Sequence, residues 1–188
     1  MDHFVPLSLG CRRAREAALR DDPERRRGGA LARITFEKSV LVSASLAAVY
    51  AHLAEPKSFL GLQPLLVELA ETGRGVDARG RSVRGFQTVE QLRLAGLVPW
   101  RNRLTGTVAL DPAGDRIDVE VRSRPGIVLR STYRLREAVL PSGTAGTQVT
   151  ERVEIDCPRL LAPFVRREAD RAHEQLLQAL ALRLEAAT

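Results

Sequence analysis

The sequence is poor in the side chains that form disulfides and bind metal ions. Its 188 residues include two cysteines and three histidines. Cys11 and Cys157 lie far apart and neither has a partner at metal-ligand spacing, so we expect no disulfide framework, no metal site and no metal cofactor. Unpaired thiols fit a reducing compartment, and we therefore expect a cytoplasmic protein.

Long apolar runs are also missing, and aromatic residues are few. No apolar stretch approaches the roughly 18 residues of a membrane span, which excludes a transmembrane helix. The first ten residues carry Asp2 where a signal peptide carries a basic residue, and Pro6 interrupts their apolar part. Aromatic residues make up 4% of the chain and do not interleave with basic stretches, so a nucleic-acid groove is not expected.

Arginine, by contrast, is in excess. The net charge is +6 and the isoelectric point is near 10.3. Lys38 and Lys57 are the only lysines among 29 basic residues. A positive surplus favours anionic partners such as lipid head groups or acidic metabolites. We prefer the simpler interpretation, in which the arginines solvate the surface of a protein rich in arginine, alanine and leucine.

Residues 1–31 differ from the rest of the chain. Arginines alternate there with acids, and the apolar surface is too small to pack a helix, so we predict a disordered tail. There are two alternatives. These residues form a basic arm that binds a polyanion, or translation starts further downstream. The chain is 44% hydrophobic, which supports one sizeable core, and we place a single domain over residues 32–188.

Residues 163–186 show the clearest periodicity. Apolar residues recur at spacings of three and four along this glycine-free run, which predicts one amphipathic helix. At about 1.5 Å per residue the helix would span roughly 36 Å, enough to cross a whole sheet. The apolar stripe consists of Leu161, Val165, Ala169, Ala172, Leu176, Leu177, Leu180 and Leu184.

Alternating apolar and polar residues before this helix predict seven strands. After a first strand at residues 34–42, Ser45 is expected to cap a short helix that ends at Leu53, and a second helical piece follows at 56–60. Six more strands are separated by turn signals at residues 72–75, 96–99, 111–114, 125–126 and 141–146. Short turns make neighbouring strands antiparallel, so the predicted fold class is α+β: a curved seven-stranded antiparallel sheet around a long C-terminal helix.

Four short segments carry a family resemblance. They are Val-Ser-Ala-Ser at 42–45, the pair Val49-Tyr50, Leu-Ala-Glu-Pro at 53–56 and Gly-Thr-Gln-Val-Thr at 146–150. In this order, and with these elements around them, they resemble the START-like or SRPBCC superfamily of helix-grip domains, which includes polyketide cyclase/dehydrase and lipid-transfer domains. The tryptophan frequent after the family's first helices is replaced by Gly-Leu-Gln-Pro at 61–64. The resemblance covers about residues 34–186 and implies a cavity for a hydrophobic small molecule between the sheet and the helix.

Three residues are candidates for chemistry in that cavity. The alternation of the last strand puts Glu151 on its apolar face, where desolvation raises a carboxyl pKa unless a cation or donor meets it. Tyr133 faces inward on the preceding strand, and hairpin pairing would bring it near Glu151. His173 lies beside the apolar stripe of the helix and could shuttle protons. Each also has an ordinary structural interpretation: a paired or rim carboxylate, a core tyrosine and a boundary histidine.

Three further residues are candidates for ligand contact. Tyr50 lies on the apolar face of the first helix. Gln87 shares a strand face with Val83 and Val89, although a bulge at Gly85 would reverse that face. Trp100 follows the break between two strands, where a cavity mouth would lie.

Three functions remain open on this basis. The first is binding of a hydrophobic or amphipathic small molecule, such as a lipid, a quinone or a polyketide-like compound. The second is an enzyme of the polyketide cyclase/aromatase type that uses Glu151, Tyr133 and His173. The third is an interaction protein that uses its arginine-rich exterior on a ribosome or chaperone. No nucleophile in a strained turn and no phosphate-binding loop points to another reaction or to an organic cofactor.

Overall fold

The computed structural model describes the backbone of residues 31–94 and 98–186, and the side chains of residues 31–91 and 101–186. The predicted tail at residues 1–30 therefore lies outside the described residues. Leu31, which the prediction assigned to the tail, belongs to the first strand instead.

Seven strands form one antiparallel sheet, as predicted. Its spatial order is β1-β7-β6-β5-β4-β3-β2, so the last strand crosses back to pair with the first. The elements, in chain order, are β1 (Leu31–Val42), α1 (Leu46–Leu53), a 3-10 helix (Pro56–Phe59), β2 (Leu66–Val76), β3 (Ser82–Leu94), β4 (Val98–Leu110), β5 (Arg116–Ser123), β6 (Ile127–Val139), β7 (Ala145–Pro158), a second 3-10 helix (Arg159–Leu161) and α2 (Ala162–Glu185).

The short helix α1 begins where the sequence predicts. Ser45 has extended backbone angles, and its side-chain oxygen accepts a hydrogen bond from the Ala48 amide at 3.3 Å. This satisfies one of the amides that a helix N-terminus leaves unpaired. Val49 and Leu53 are buried, which fixes the helix against the sheet.

The long helix α2 uses the predicted apolar stripe. Its buried side chains are Ala172, His173, Leu176, Leu177, Leu180 and Leu184. Lys38 on β1 ties the helix to the sheet edge through ion pairs with Asp170 at 3.1 Å and Glu174 at 2.9 Å. Among the residues that the structure describes, no helix combines the length and apolarity that a membrane span requires.

One predicted turn is wrong, and the boundary of a second, between β3 and β4, is shifted because β4 already begins at Val98. Residues 72–75 lie inside β2, where the pairing with β3 shifts register between Glu71 and Gly73. The chain turns later, with the Gly80 amide donating to the Asp77 carbonyl at 3.0 Å and Gly80 at a φ of 77°. Pro99 lies within β4, paired with a residue of β3. A glycine in a strand marks a bulge as readily as a turn, which explains the first error.

The buried apolar residues form two clusters on the inner side of the sheet. The larger one joins α1 and the C-terminal half of α2 to the sheet through residues such as Val49, Tyr133 and Leu180. The smaller one contains Ile34, Val153, Ile155 and Cys157. The helix therefore packs firmly at two places on the sheet.

Candidate ligand-binding cavity

A cavity of about 480 Å³ lies between the sheet and α2. Strands β2 to β7, the first 3-10 helix and α2 all contribute to its wall, which borders both core clusters. Small-molecule sites usually measure about 300–1,000 Å³, so the volume fits a small ligand. Most of the lining side chains are apolar, including Phe59, Leu69, Phe86, Leu104, Leu129 and Phe164.

The sheet and the helix meet at a buried polar cluster. Glu151 on β7 is fully buried and His173 on α2 is 5% exposed. The Nδ1 atom of His173 lies 2.7 Å from Oε1 of Glu151, and the Ser131 hydroxyl donates to the same oxygen at 2.8 Å. The predicted candidates Glu151 and His173 therefore contact each other, and Ser131 on β6 joins them.

The surroundings of Glu151 keep its carboxylate charged. Burial alone would raise its pKa, but the charge of His173 and the polar groups of His173, Tyr133 and Ser131 outweigh burial and lower the pKa. Because the charged carboxylate of Glu151 can only accept a hydrogen bond, the proton in this contact lies on Nδ1 of His173. The ring borders the cavity, and Nε2 is then the nitrogen that is left to accept or donate a proton.

Tyr133 lies where hairpin pairing places it, directly opposite Glu151 in the β6–β7 register. Its side chain is buried and lines the cavity. Burial and the nearby charge of Glu151 raise the pKa of Tyr133 well above the usual value, so the phenol stays protonated and can only donate or accept as a neutral group. The second oxygen of Glu151, Oε2, has no hydrogen-bond partner among the described residues.

The sequence prediction missed a second polar group on the cavity wall. Glu90 on β3, Asn102 on β4 and Ser123 on β5 line the cavity from neighbouring strands. Glu90 and Asn102 are cross-strand partners, and the Asn102 amide donates to the Ser123 hydroxyl at 2.9 Å. The sequence signal for this group is weak. Phe86, Thr88 and Glu90 alternate along β3, and of these three only Phe86 is apolar enough to indicate the inner face.

The raised pKa of Glu90 leads to a prediction for how stability depends on pH. Burial raises the pKa of Glu90, more than the charge of His173 and the hydrogen bond from Asn102 lower it. Deprotonation therefore costs the folded state stability as pH rises from the ordinary value of 4.5 through the raised one. We expect Glu90→Gln to raise the free energy of unfolding by about 1 kcal/mol at pH 7 and not at pH 4.

Urea unfolding followed by circular dichroism at both pH values measures this difference. Glu137→Gln is the matched control, because Glu137 is exposed on β6 and does not line the cavity. A Glu90→Gln variant that is less stable than the wild type at both pH values would contradict the assignment.

The structure corrects two of the predicted ligand contacts. Gln87 is exposed, and its neighbours Phe86 and Thr88 face the cavity instead, because the valines of β3 lie on the opposite face. Tyr50 does not line the cavity; its hydroxyl donates to the Asp111 carbonyl at 2.7 Å and supports a turn. The side chain of Trp100 lies outside the described residues, so its predicted contact stays a prediction.

Many arginines of the outer sheet face are paired with acids. Asp118 accepts from Arg81 and Arg116, and Asp156 binds both Arg33 and Arg130. Such pairs neutralise part of the positive charge on this face. They fit the interpretation of arginine as a solvating surface residue.

In the described part of the chain, no group of three or more histidine, cysteine, aspartate or glutamate residues could hold a metal ion.

A curved antiparallel sheet that encloses a cavity with a long C-terminal helix defines a START-like helix-grip domain for ligand binding. The family model described as polyketide cyclase/dehydrase and lipid transport matches residues 33–186. The chain therefore belongs to this family. No curated protein matches the sequence.

Solved structures share the fold at low sequence identity. A START superfamily protein from Mycobacterium smegmatis is 15% identical with a TM-score of 0.60, over 82% of this chain and 99% of that one. The Zhui aromatase/cyclase from Streptomyces sp. R1128 is 16% identical with a TM-score of 0.64, over 82% and 94%. A structure from Thermus thermophilus is 19% identical with a TM-score of 0.59, over 84% and 99%. At these identities the likeness shows the fold alone.

Proposed function

We propose that the domain binds a hydrophobic or amphipathic small molecule, such as a lipid, a quinone or a polyketide-like compound, between the sheet and α2. The observation that carries the proposal is the cavity of about 480 Å³ with its mostly apolar wall. Transfer of apolar surface from water into such a wall contributes about 25 cal/mol per Å². The family to which the chain belongs includes lipid transport in its description, which supports the same proposal.

Filling the cavity tests this proposal. Ala169 on α2 lines the cavity, and we expect Ala169→Phe to weaken binding of the uncharged dye Nile red at least tenfold, because the new ring occupies the ligand's volume. Fluorescence titration measures the affinity. Ala51→Phe is the matched control, since Ala51 is exposed on α1 and does not line the cavity. Equal dye binding by the two variants, or no binding by the wild type, would contradict the proposal.

Native mass spectrometry of gently purified protein adds a direct assay for the ligand. A co-purified small molecule that is absent from the Ala169→Phe variant supports carriage in the cavity. Protein that carries bound RNA and an empty cavity would favour the arginine-rich interaction protein instead.

A second candidate function is an enzyme of the polyketide cyclase/aromatase type, and the His173–Glu151 contact favours it. Glu151 holds the proton at Nδ1, so a neutral His173 presents a lone pair at Nε2. This atom could remove a proton from the carbon next to a ligand carbonyl and return it to an oxygen, as a general base and acid do. Tyr133 could donate a hydrogen bond to that carbonyl.

Hydrogen–deuterium exchange of 2-tetralone tests this chemistry without the natural substrate. We expect the protein to accelerate exchange of the ketone's α-protons, and His173→Phe to remove roughly a hundredfold of that acceleration. Glu151→Gln should reduce the rate with less effect on binding, because the amide no longer fixes the Nδ1 proton. Exchange at the buffer rate in the wild type would remove the enzymatic candidate and leave the binding proposal intact.

A further inference from the structure

The cavity wall carries acids but no basic side chain of arginine or lysine, among the lining residues that the structure describes. The chain has 29 lysines and arginines, so this distribution is a property of the site and not of the composition. Glu90 and Glu168 are the two carboxyl groups on the wall, and His173 is the one titratable base there. The Glu151 carboxylate already contacts Nδ1 of this histidine at 2.7 Å.

Glu90 and Asn102 form a polar part of the wall that also has no arginine or lysine partner among the described lining residues, and His173 is the one cation that acts on Glu90. Asn102 and Ser123 hydrogen-bond each other at 2.9 Å, and Ser123 also donates to the Arg124 carbonyl at 3.0 Å. Thr88 donates to the Glu68 carbonyl at 2.6 Å. These donors are engaged inside the protein, whereas the Glu90 carboxyl has lone pairs beyond the one that Asn102 approaches. Glu90 is therefore the group on this part of the wall that can accept from a ligand.

We propose that the cavity selects an uncharged amphiphile that bears a hydroxyl group, such as a phenol or an alcohol, and rejects amphiphiles with a carboxylate or phosphate head group. In this arrangement Glu90 accepts the hydrogen bond of the ligand hydroxyl while the apolar wall holds its rings or chain. The inference rests on the proposed binding function and names the class of ligand for that same cavity.

Electrostatics gives the direction of the selectivity. An anionic head group that leaves water for an apolar cavity needs a cation or several free donors to offset its lost hydration. The described wall has no arginine or lysine, and the Glu151 carboxylate, 2.7 Å from Nδ1, offsets the charge of its one histidine, His173. The carboxyl groups of the wall itself repel a second negative charge. A hydroxyl carries no such penalty and supplies the proton that an accepting carboxylate needs.

A matched pair of probes tests this inference. 2-Naphthol and 2-naphthoate share one ring system and differ in the polar group, which is an uncharged hydroxyl in the first and a carboxylate in the second at pH 7.5. Each competes with Nile red for the wild-type protein, and displacement is followed by fluorescence. We expect 2-naphthol to displace the dye at a concentration at least tenfold lower than 2-naphthoate.

Glu90→Gln locates the source of the selectivity. It should shrink the naphthol-to-naphthoate ratio at least threefold, because the repelling charge is gone, while the control Glu137→Gln keeps the wild-type ratio. If the two probes displace the dye from the wild type at concentrations within threefold of each other, the charge selectivity is overturned. Displacement by neither probe overturns it as well. An unchanged ratio in Glu90→Gln overturns the role of Glu90. Failure of the wild type to bind Nile red at all refutes the binding function itself, so the two failures are distinct.

Discussion

Replacing Glu151 with leucine is expected to lower the free energy of unfolding by about 3–5 kcal/mol, the usual cost of removing one partner from a buried pair. Glu151 is fully buried and holds both His173 and Ser131 through one oxygen. The leucine side chain suits the neighbouring Val149 and Val153, so the loss comes from the polar groups left without a partner. Equilibrium urea denaturation measures it.

A double variant separates this explanation from a packing defect. Glu151→Leu together with His173→Leu removes both members of the pair, so the hydroxyl groups of Ser131 and Tyr133 lose Glu151 but no charged side chain is left without its partner. We expect the double variant to be more stable than Glu151→Leu alone. If the double variant loses as much stability as the sum of the losses in Glu151→Leu and His173→Leu, the contact between the two side chains contributes little and the assignment is wrong.

The same pair has a defined pH dependence. Because the folded state lowers the pKa of Glu151, the charged form stabilises the fold above the ordinary value of 4.5, and this contribution is lost as pH falls through the lowered value. The difference in stability between the wild type and Glu151→Gln should therefore be largest near neutral pH and shrink in acid. Glu90 has the opposite sign, since its pKa is raised.

The second large effect is expected at Gly106, where alanine should cost about 2–3 kcal/mol through overcrowding. Gly106 on β4 lies opposite Phe86 of β3. A methyl group at Gly106 would meet the Phe86 ring and lie 2.8 Å from the Glu120 backbone carbonyl. The ring can rotate away, but the carbonyl belongs to the β4–β5 ladder and cannot move without loss of pairing.

Gly75→Ala is the matched control for Gly106→Ala. Gly75 also lies in a strand, and a methyl group there meets nothing within 4 Å. We expect it to leave stability unchanged or raise it by about 0.4–1 kcal/mol, because alanine reduces the entropy of the unfolded chain. Thermal unfolding of the two variants under identical conditions gives the comparison, and equal losses would contradict the steric explanation.

The sequence is sufficient to predict the sheet and the long helix because the alternation of the strands and the helical period run through most of these elements. The alternation in β6 and β7 predicts that Tyr133 and Glu151 face inward, and the register confirms that they are partners. The contact between Glu151 and His173 could not be predicted, because it depends on how α2 is rotated over the sheet. Periodicity places a residue on a face but does not select its partner on another element.

The inner face of β3 shows why the site is harder to predict than the fold. Val83 and Val89 lie on the outer face of β3, while Thr88 and Glu90 face the cavity. A rule that points apolar residues inward therefore selects Gln87 and misses Glu90. Polar residues on an inner face conflict with a packed core, and functional sites are where such conflicts are expected.

The pairing of β1 with β7 has a consequence for biosynthesis. Leu31 pairs with Pro158, so the edge of the sheet stays incomplete on the ribosome until the seventh strand has emerged. During that interval β1 and the apolar inner surface stay exposed to aggregation, and long-range strand pairing of this kind is slow to form.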